Sequence, residues 1–293
     1  MANLKEIRSR ISSVNSTKQI TSAMKMVSAA KLRRAQDAIT KMRPYAEKLQ
    51  EILTNVSSSP SVAENVYAEE REVKRLLIIS VTSNRGLCGA FNNTVIKKVK
   101  TVAQDYPNAE VKILSVGKKS YDTFKKTNHQ PGVGYPNEPY HIYDNLNFEE
   151  SSIIANSVMD KFVEGKVDKV ILIYNSFKNA AVQILKEEQF LPIVPPKAEG
   201  EDRGTQSDYI FEPSMDEIVD ELIPKSLKIQ LYKAILDSHA AEHGARMTAM
   251  HKATDNATEL VKELKLTYNK ARQASITNEI LEIVAGAEAL SDS

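Results

Sequence analysis

The chain has 293 residues, enough for one large domain or two small ones. A formal net charge of +1 excludes a general polyanion binder, and 10 glycines with no tryptophan favour helix over an all-β fold. Cys88 is the single cysteine, which excludes a disulfide-stapled secreted domain. No window approaches the roughly 18 apolar residues of a membrane span, and Met1–Lys5 lead into an amphipathic pattern rather than a signal peptide. The expectation is a soluble chain that meets a membrane only through other proteins.

The first segment, 1–57, reads as one long helix. Asn3 with Glu6 resembles a capping box. Apolar residues follow at Leu4, Ile7, Ile11 and Val14, then Ile20, Met24 and Val27, and later Met42, Leu49, Ile52 and Val56. These spacings are mostly three and four. Pro44 should kink or divide the helix, and the Ser57–Pro60 run should end it. About fifty helical residues would span about 75–80 Å.

From about 73 to 213 the pattern changes. Leu76–Val81, Val111–Val116 and Val170–Tyr174 are apolar runs of strand length, separated by helical patterns at Phe91–Gln104 and Glu149–Phe162. Strands alternating with helices predict a mostly parallel sheet covered on both faces. Val182–Val194 could add antiparallel strands at an edge, and Pro195–Ser207 reads as a polar loop.

The last segment, 214–293, mirrors the first. Pro213-Ser214 with Glu217 is a second capping box, and apolar residues run from Ile218 to Val284. Pro224 should break or kink this helix near its start; beyond it only Gly244 and Gly286 are weak points. At full length it would span about 100 Å. A helix so long needs a partner, and the natural one is the other terminal helix, packed antiparallel. The expected fold is therefore α/β: a long antiparallel coiled coil of N- and C-terminal helices plus a central Rossmann-like α/β domain.

Charge sharpens the picture. Between residues 18 and 43 the first helix carries Lys18, Lys25, Lys31, Arg33, Arg34, Lys41 and Arg43 against one acid, Asp37. Solvated helices usually intersperse both signs, so a one-sided rod points to an acidic partner surface. Aromatic or Gly-rich platforms for nucleic acid are missing from it. Ser22, Ala23, Ser28, Ala29, Ala30, Ala35 and Ala38 make it smooth, which also suits plain coiled-coil packing. The run Ile276–Leu290 is apolar at the chain's end, as expected of a tip enclosed by a partner.

Three passages carry a resemblance. One is Ile7-Arg8-Ser9-Arg10-Ile11, followed by Thr17-Lys18-Gln19-Ile20-Thr21-Ser22-Ala23-Met24-Lys25-Met26-Val27. Another is Ala253-Thr254-Asp255-Asn256-Ala257, then Leu264 and Tyr268-Asn269-Lys270-Ala271-Arg272-Gln273-Ala274-Ser275-Ile276-Thr277-Asn278-Glu279-Ile280. The central one is Thr82-Ser83-Asn84-Arg85-Gly86-Leu87-Cys88-Gly89-Ala90-Phe91-Asn92. They resemble, in order and end to end, the gamma subunits of F-type ATP synthases, with Asn84 and Ala90 in place of the family's commoner Asp and Gly. The resemblance implies a non-catalytic central rotor shaft with no cofactor and no metal. It couples rotation of a c-ring to conformational changes at beta-subunit sites of a proton-translocating enzyme. The implied partners are the alpha and beta subunits, epsilon and the c-ring, on the cytoplasmic side of a bacterial membrane as a peripheral protein. Residues matching Met24, Arg246, Arg272, Gln273 and Thr277 meet or lie near the beta levers and catch loops in the family. Lys25, Arg33 and Arg34 of the basic face join them as candidate contacts. With Cys88 alone, the inserted dithiol switch of the chloroplast form is not expected.

The residues also admit rival readings. Arg85-Gly86-Leu87-Cys88-Gly89 follows a strand and precedes a helix, the setting of a phosphate-binding loop. Its spacing is neither a Walker loop nor a dinucleotide fingerprint, so a tight turn is the simpler reading. Cys88 as nucleophile would need a base, and no pattern ties any histidine to it. The alternatives are a Rossmann-like enzyme with helical extensions, or a static coiled-coil scaffold.

Overall fold

In the computed structural model, which describes residues 4–56, 65–193 and 215–291, the chain opens and closes on single helices. Helix α1 is Leu4–Val56, 53 residues, and α5 is Met215–Ser291, 77 residues. Neither proline divides its helix: α1 runs through Pro44 and α5 through Pro224. A proline removes one helix hydrogen bond, and here packing on either side of the prolines holds the helices together. Leu53 lies against Val219 and Ile223, and Leu227 is buried in the main core. The Asn3–Glu6 cap, the Ser57–Pro60 stop, the Pro195–Ser207 loop and the Pro213-Ser214 cap lie outside the described residues.

Two compact units emerge. One joins the described residues up to Ser28 with those from Met247 onward. Thr21 Oγ1 lies 2.8 Å from Thr254 Oγ1, and Lys25 Nζ lies 3.4 Å from His251 Nδ1. Advancing along α1 means retreating along α5, so the helices pair antiparallel. The buried positions Thr21 and Ser28, and Met250, Ala257 and Val261, recur at seven and four, the period of a coiled-coil seam. Most seam residues are small or polar.

The other unit, Ala29–Arg246, contains a four-stranded sheet. Its elements are β1 (Arg75–Val81), α2 (Phe91–Asp105), β2 (Glu110–Val116), α3 (Lys118–Phe124), α4 (Phe148–Val163), β3 (Lys169–Phe177) and β4 (Gln183–Leu191). The order is β2-β1-β3-β4, with β1 parallel to β2 and β3, and β4 antiparallel at the edge. Alternation along β1 divides the core. Leu76 and Ile78 face Val95, Val99 and Val102 of α2. Leu77, Ile79 and Val81 face Ile154, Val158 and Phe162 of α4, and Leu227, Leu231 and Ile235 of α5. Covering both faces explains why these strands read as unbroken apolar runs. Asp168 is buried beside Arg75; its Oδ1 accepts from Arg75 Nη2 at 2.7 Å and its Oδ2 from the Arg75 backbone N–H at 2.8 Å. Burial works to raise its carboxyl, but these donors hold it below the usual range.

Candidate functional site

A doubly wound sheet offers its ligand crevice at the carboxyl ends of the strands, where neighbouring connections leave in opposite directions. Here β1 leads to β2 on one side and has β3 on the other, so that crevice opens between β1 and β3. Its wall is the 82–90 loop. Leu87 and Gly89 hold left-handed backbone, φ 64° and 60°, and fold the loop back on itself. Asn92, in the first turn of α2, stitches it. Its Oδ1 accepts from Ser83 N at 2.9 Å, and its Nδ2 donates to Ser83 Oγ at 2.9 Å and lies 3.1 Å from Cys88 Sγ. Ser83 Oγ donates in turn to Arg85 O at 2.6 Å. Beside it, Gly117 (φ 138°) brings β2 against β1; a Cβ there would sit 2.1 Å from Thr82 O. Asn84 bridges onward, donating to Tyr140 O at 2.8 Å and accepting from Lys118 N at 3.0 Å.

The crevice is filled by the chain's own α5. Ala241 and Ala245 pack with Cys88, Phe91 and Phe177. Gly244 comes so near the turn after β3 that a Cβ would lie 3.1 Å from Ala180 Cα. Arg246 then reaches the loop: its Nη2 donates to Arg85 O at 3.0 Å and to Gly86 O at 3.2 Å. Its Nη1 donates to Glu242 Oε1 at 2.6 Å, in an ion pair whose side chains are only 8% and 9% exposed. Burial pushes the Glu242 carboxyl up, while Arg246 opposes that shift.

Two histidines complete this face of α5. His243 Nε2 is 3.1 Å from His239 Nε2, and His239 stacks on Tyr143 with ring centroids 5.8 Å apart. Arg246 Nη1 lies 3.4 Å from His243 Nδ1, which makes Nδ1 the acceptor and leaves Nε2 to carry the proton given toward His239. Burial, with Lys31 and Arg246 nearby, lowers His239 to about 4. Burial, then His239 and Arg246, lowers His243 to about 3. Both rings are neutral near pH 7.

This arrangement is poorly suited to chemistry. A phosphate cradle turns backbone N–H groups inward, whereas this loop turns the Arg85 and Gly86 carbonyls toward a guanidinium. The Cys88 thiol is 1% exposed, and burial pushes its pKa up, the reverse of an activated nucleophile. The Arg-Gly-Leu-Cys-Gly stretch is a turn that receives a helix.

The residues read from sequence as contacts fall into three groups. Met24 and Lys25 are half-buried in the coiled-coil unit, and Arg272, Gln273 and Thr277 are exposed in it. Arg33 and Arg34 are exposed on the part of α1 belonging to the other unit. Arg246 differs: its side chain is spent inside the chain, because the loop carbonyls and Glu242 take its donors. Sequence reasoning missed its companions His239, Glu242 and His243. Their spacing of three and four within a run of small residues, ending on Arg246, was a visible stripe. Near Thr277, apolar side chains stand in solvent: Ile276, Ile280, Leu281, Ile283 and Val284 are 44–71% exposed. Met26 and Val27 of α1 are exposed as well.

Comparison with known proteins agrees across the chain. A family model described as ATP synthase matches residues 3–290. The ATP synthase gamma chain of Flavobacterium johnsoniae is 60% identical over 293 residues, covering 99% of each chain. That of Chlorobium phaeobacteroides is 48% identical over 296 aligned positions, again 99% of each. Among solved structures, a chain of the Euglena gracilis mitochondrial ATP synthase, in an OSCP/F1/c-ring assembly, superposes with a TM-score of 0.63 at 20% identity, covering 98% of this chain and 94% of that one. A chain from the central stalk and c-ring of the Tetrahymena thermophila mitochondrial enzyme gives 0.57 at 24% identity, covering 80% and 99%. Full-length identity at this level, on the coiled-coil and α/β architecture just described, places the chain in the ATP synthase gamma chain family.

Proposed function

We propose that this chain is the central rotor shaft of a proton-translocating F-type ATP synthase and makes or breaks no bond itself. It carries rotation from a c-ring to the beta-subunit sites of an alpha–beta hexamer. The observation that carries the reading is the exposed apolar run from Ile276 to Val284. Five large apolar side chains exposed within nine residues near the end of one helix make a surface suited to enclosure by a partner. The filled crevice supports the non-catalytic half of the reading. Loop carbonyls and an inert thiol stand where a Rossmann-like enzyme would hold its nucleotide.

On this reading Met24, Lys25, Arg272, Gln273 and Thr277 face the beta levers and catch loops, and Arg33 and Arg34 add positive charge along the shaft. The α/β unit meets epsilon and the c-ring. No helix among the described residues is long and apolar enough to cross a membrane; on the rotor reading the chain meets the membrane through the complex, on its cytoplasmic side. Co-expression of a tagged chain with alpha and beta from the same genome tests this. A purified hexamer carrying one copy of the chain, active in ATP hydrolysis, is the expected result. A well-folded chain that never joins the hexamer would overturn it.

A further inference from the structure

Within residues 29–246, α5 is held from two opposite sides, and this bears on how it can turn. On one side stands the β3–β4 hairpin. Gln230 Nε2 donates to Gln189 O at 3.4 Å, and Ser176 Oγ donates to Asp237 Oδ2 at 2.9 Å. Gly244 closes on Ala180, with the Phe177 ring 3.3 Å from where a Cβ would be. Gln230, Asp237 and Gly244 are seven residues apart, so they share one face of the helix, drifting only about 20° per step.

Arg246 lies nine residues beyond Asp237, two and a half turns at about 100° per residue, and so points the opposite way. There it meets the 82–90 loop through Arg85 O and Gly86 O, with Glu242 and the Tyr143-stacked His239 beside it. An apolar seat alone resists rotation weakly, because turning a helix in it exchanges one apolar side chain for the next. Polar bonds at the ends of side chains are directional and lie off the axis. Turning α5 here would break bonds on both sides and strip the Arg85 and Gly86 carbonyls of their guanidinium donor, while the Glu242–Arg246 pair, both on α5, would turn with the helix.

We propose that this two-sided polar grip is the joint that passes torque between α5 and the α/β domain, with Arg246 as its positioning residue. The inference rests on the rotor reading above and assigns Arg246 a role inside the chain. The weak natural alternative to such keys is a bare Ala241–Gly244–Ala245 face, smooth enough to slip.

The test uses the whole complex in membrane vesicles. It compares ATP synthesis, made under load, with uncoupled ATP hydrolysis, made without it. Replacing the ion pair (Arg246→Met with Glu242→Gln) should keep hydrolysis and lower the synthesis-to-hydrolysis ratio by about three- to tenfold. Cutting the opposite key (Ser176→Ala with Asp237→Leu) should lower the same ratio. An unchanged ratio in both assembled variants overturns the joint. A fall confined to the Arg246 variant also overturns it, because that points to a contact with another subunit. If the ion-pair variant does not assemble, Arg246→Lys, which keeps the charge but cannot span both carbonyls, decides by the same ratio. A wild-type complex that shows no coupling strikes at the rotor reading instead, so the two failures are told apart.

Discussion

The strands of the central sheet and the C-terminal part of α5 use the same side chains in opposite ways. Leu76, Leu77, Ile78 and Ile79 are buried to within 1% of complete exclusion, while Ile280 and Ile283 are 55% and 71% exposed. Fully burying one such side chain is worth about 1.5–3 kcal/mol. The sheet gains that within its own chain. The end of α5 holds several such increments in reserve for whatever surrounds it. On the rotor reading, the first region is built for its own stability and the second for assembly. Mutations should therefore separate stability from coupling according to the region they touch.

The largest effect should come where the α/β unit has no slack. Gly117→Ala places a Cβ 2.1 Å from Thr82 O at a φ of 138°, and should cost more than about 4 kcal/mol or prevent folding. Urea unfolding of the purified chain measures it, and near-wild-type stability would show that β1 and β2 can part more easily than the packing implies. Next, Leu172→Ala in β3 should cost about 2–5 kcal/mol, whereas Ile283→Ala should change stability by less than about 0.5 kcal/mol yet weaken recovery of the chain with alpha and beta. Equal losses from the two would erase the contrast.

A pH series sharpens it further. His239 and His243 stay neutral down to about 4 and about 3 in the folded chain, but take protons near pH 6.5 when unfolded. Their contribution is therefore present above about pH 6.5 and lost as pH falls toward their folded values. Asp237 and Glu242, raised by burial, work the other way. The histidine part is isolated by comparing wild type with His239→Gln/His243→Gln. The difference between their melting temperatures should shift steadily between pH 7 and 4, and a constant difference would refute the assignment. The smallest effect on stability belongs to Lys25→Glu with Arg33→Glu and Arg34→Glu. These charges are mostly exposed, each worth about 0–1 kcal/mol, so melting should barely move while ATP-driven proton pumping falls. Normal pumping would remove the basic face from the mechanism.

Much of this fold was legible because periodicity reports burial. The three parallel strands were visible as unbroken apolar runs, and α2 and α4 as stripes ending within a residue of Asp105 and Val163. What periodicity cannot report is which distant segment completes a site. The seven-residue α3 is too short to show a stripe. Pro44 and Pro224 read as breaks because only tertiary packing carries the helices past them. Arg246 read as a surface contact because nothing local reveals that two carbonyls 160 positions earlier wait for it. The contacts proposed on α1 and α5 rest on resemblance for Met24, Arg272, Gln273 and Thr277 and on the one-sided charge of α1 for Lys25, Arg33 and Arg34.

The helix packed over the carboxyl ends of β1 and β3 belongs to the same molecule as the crevice it fills. Its local concentration there is fixed by the chain and does not fall on dilution. A soluble nucleotide or metabolite, present at whatever level the cell maintains, would have to displace a competitor that never leaves. Cells can therefore raise or lower their nucleotide pools without those molecules ever entering this sheet.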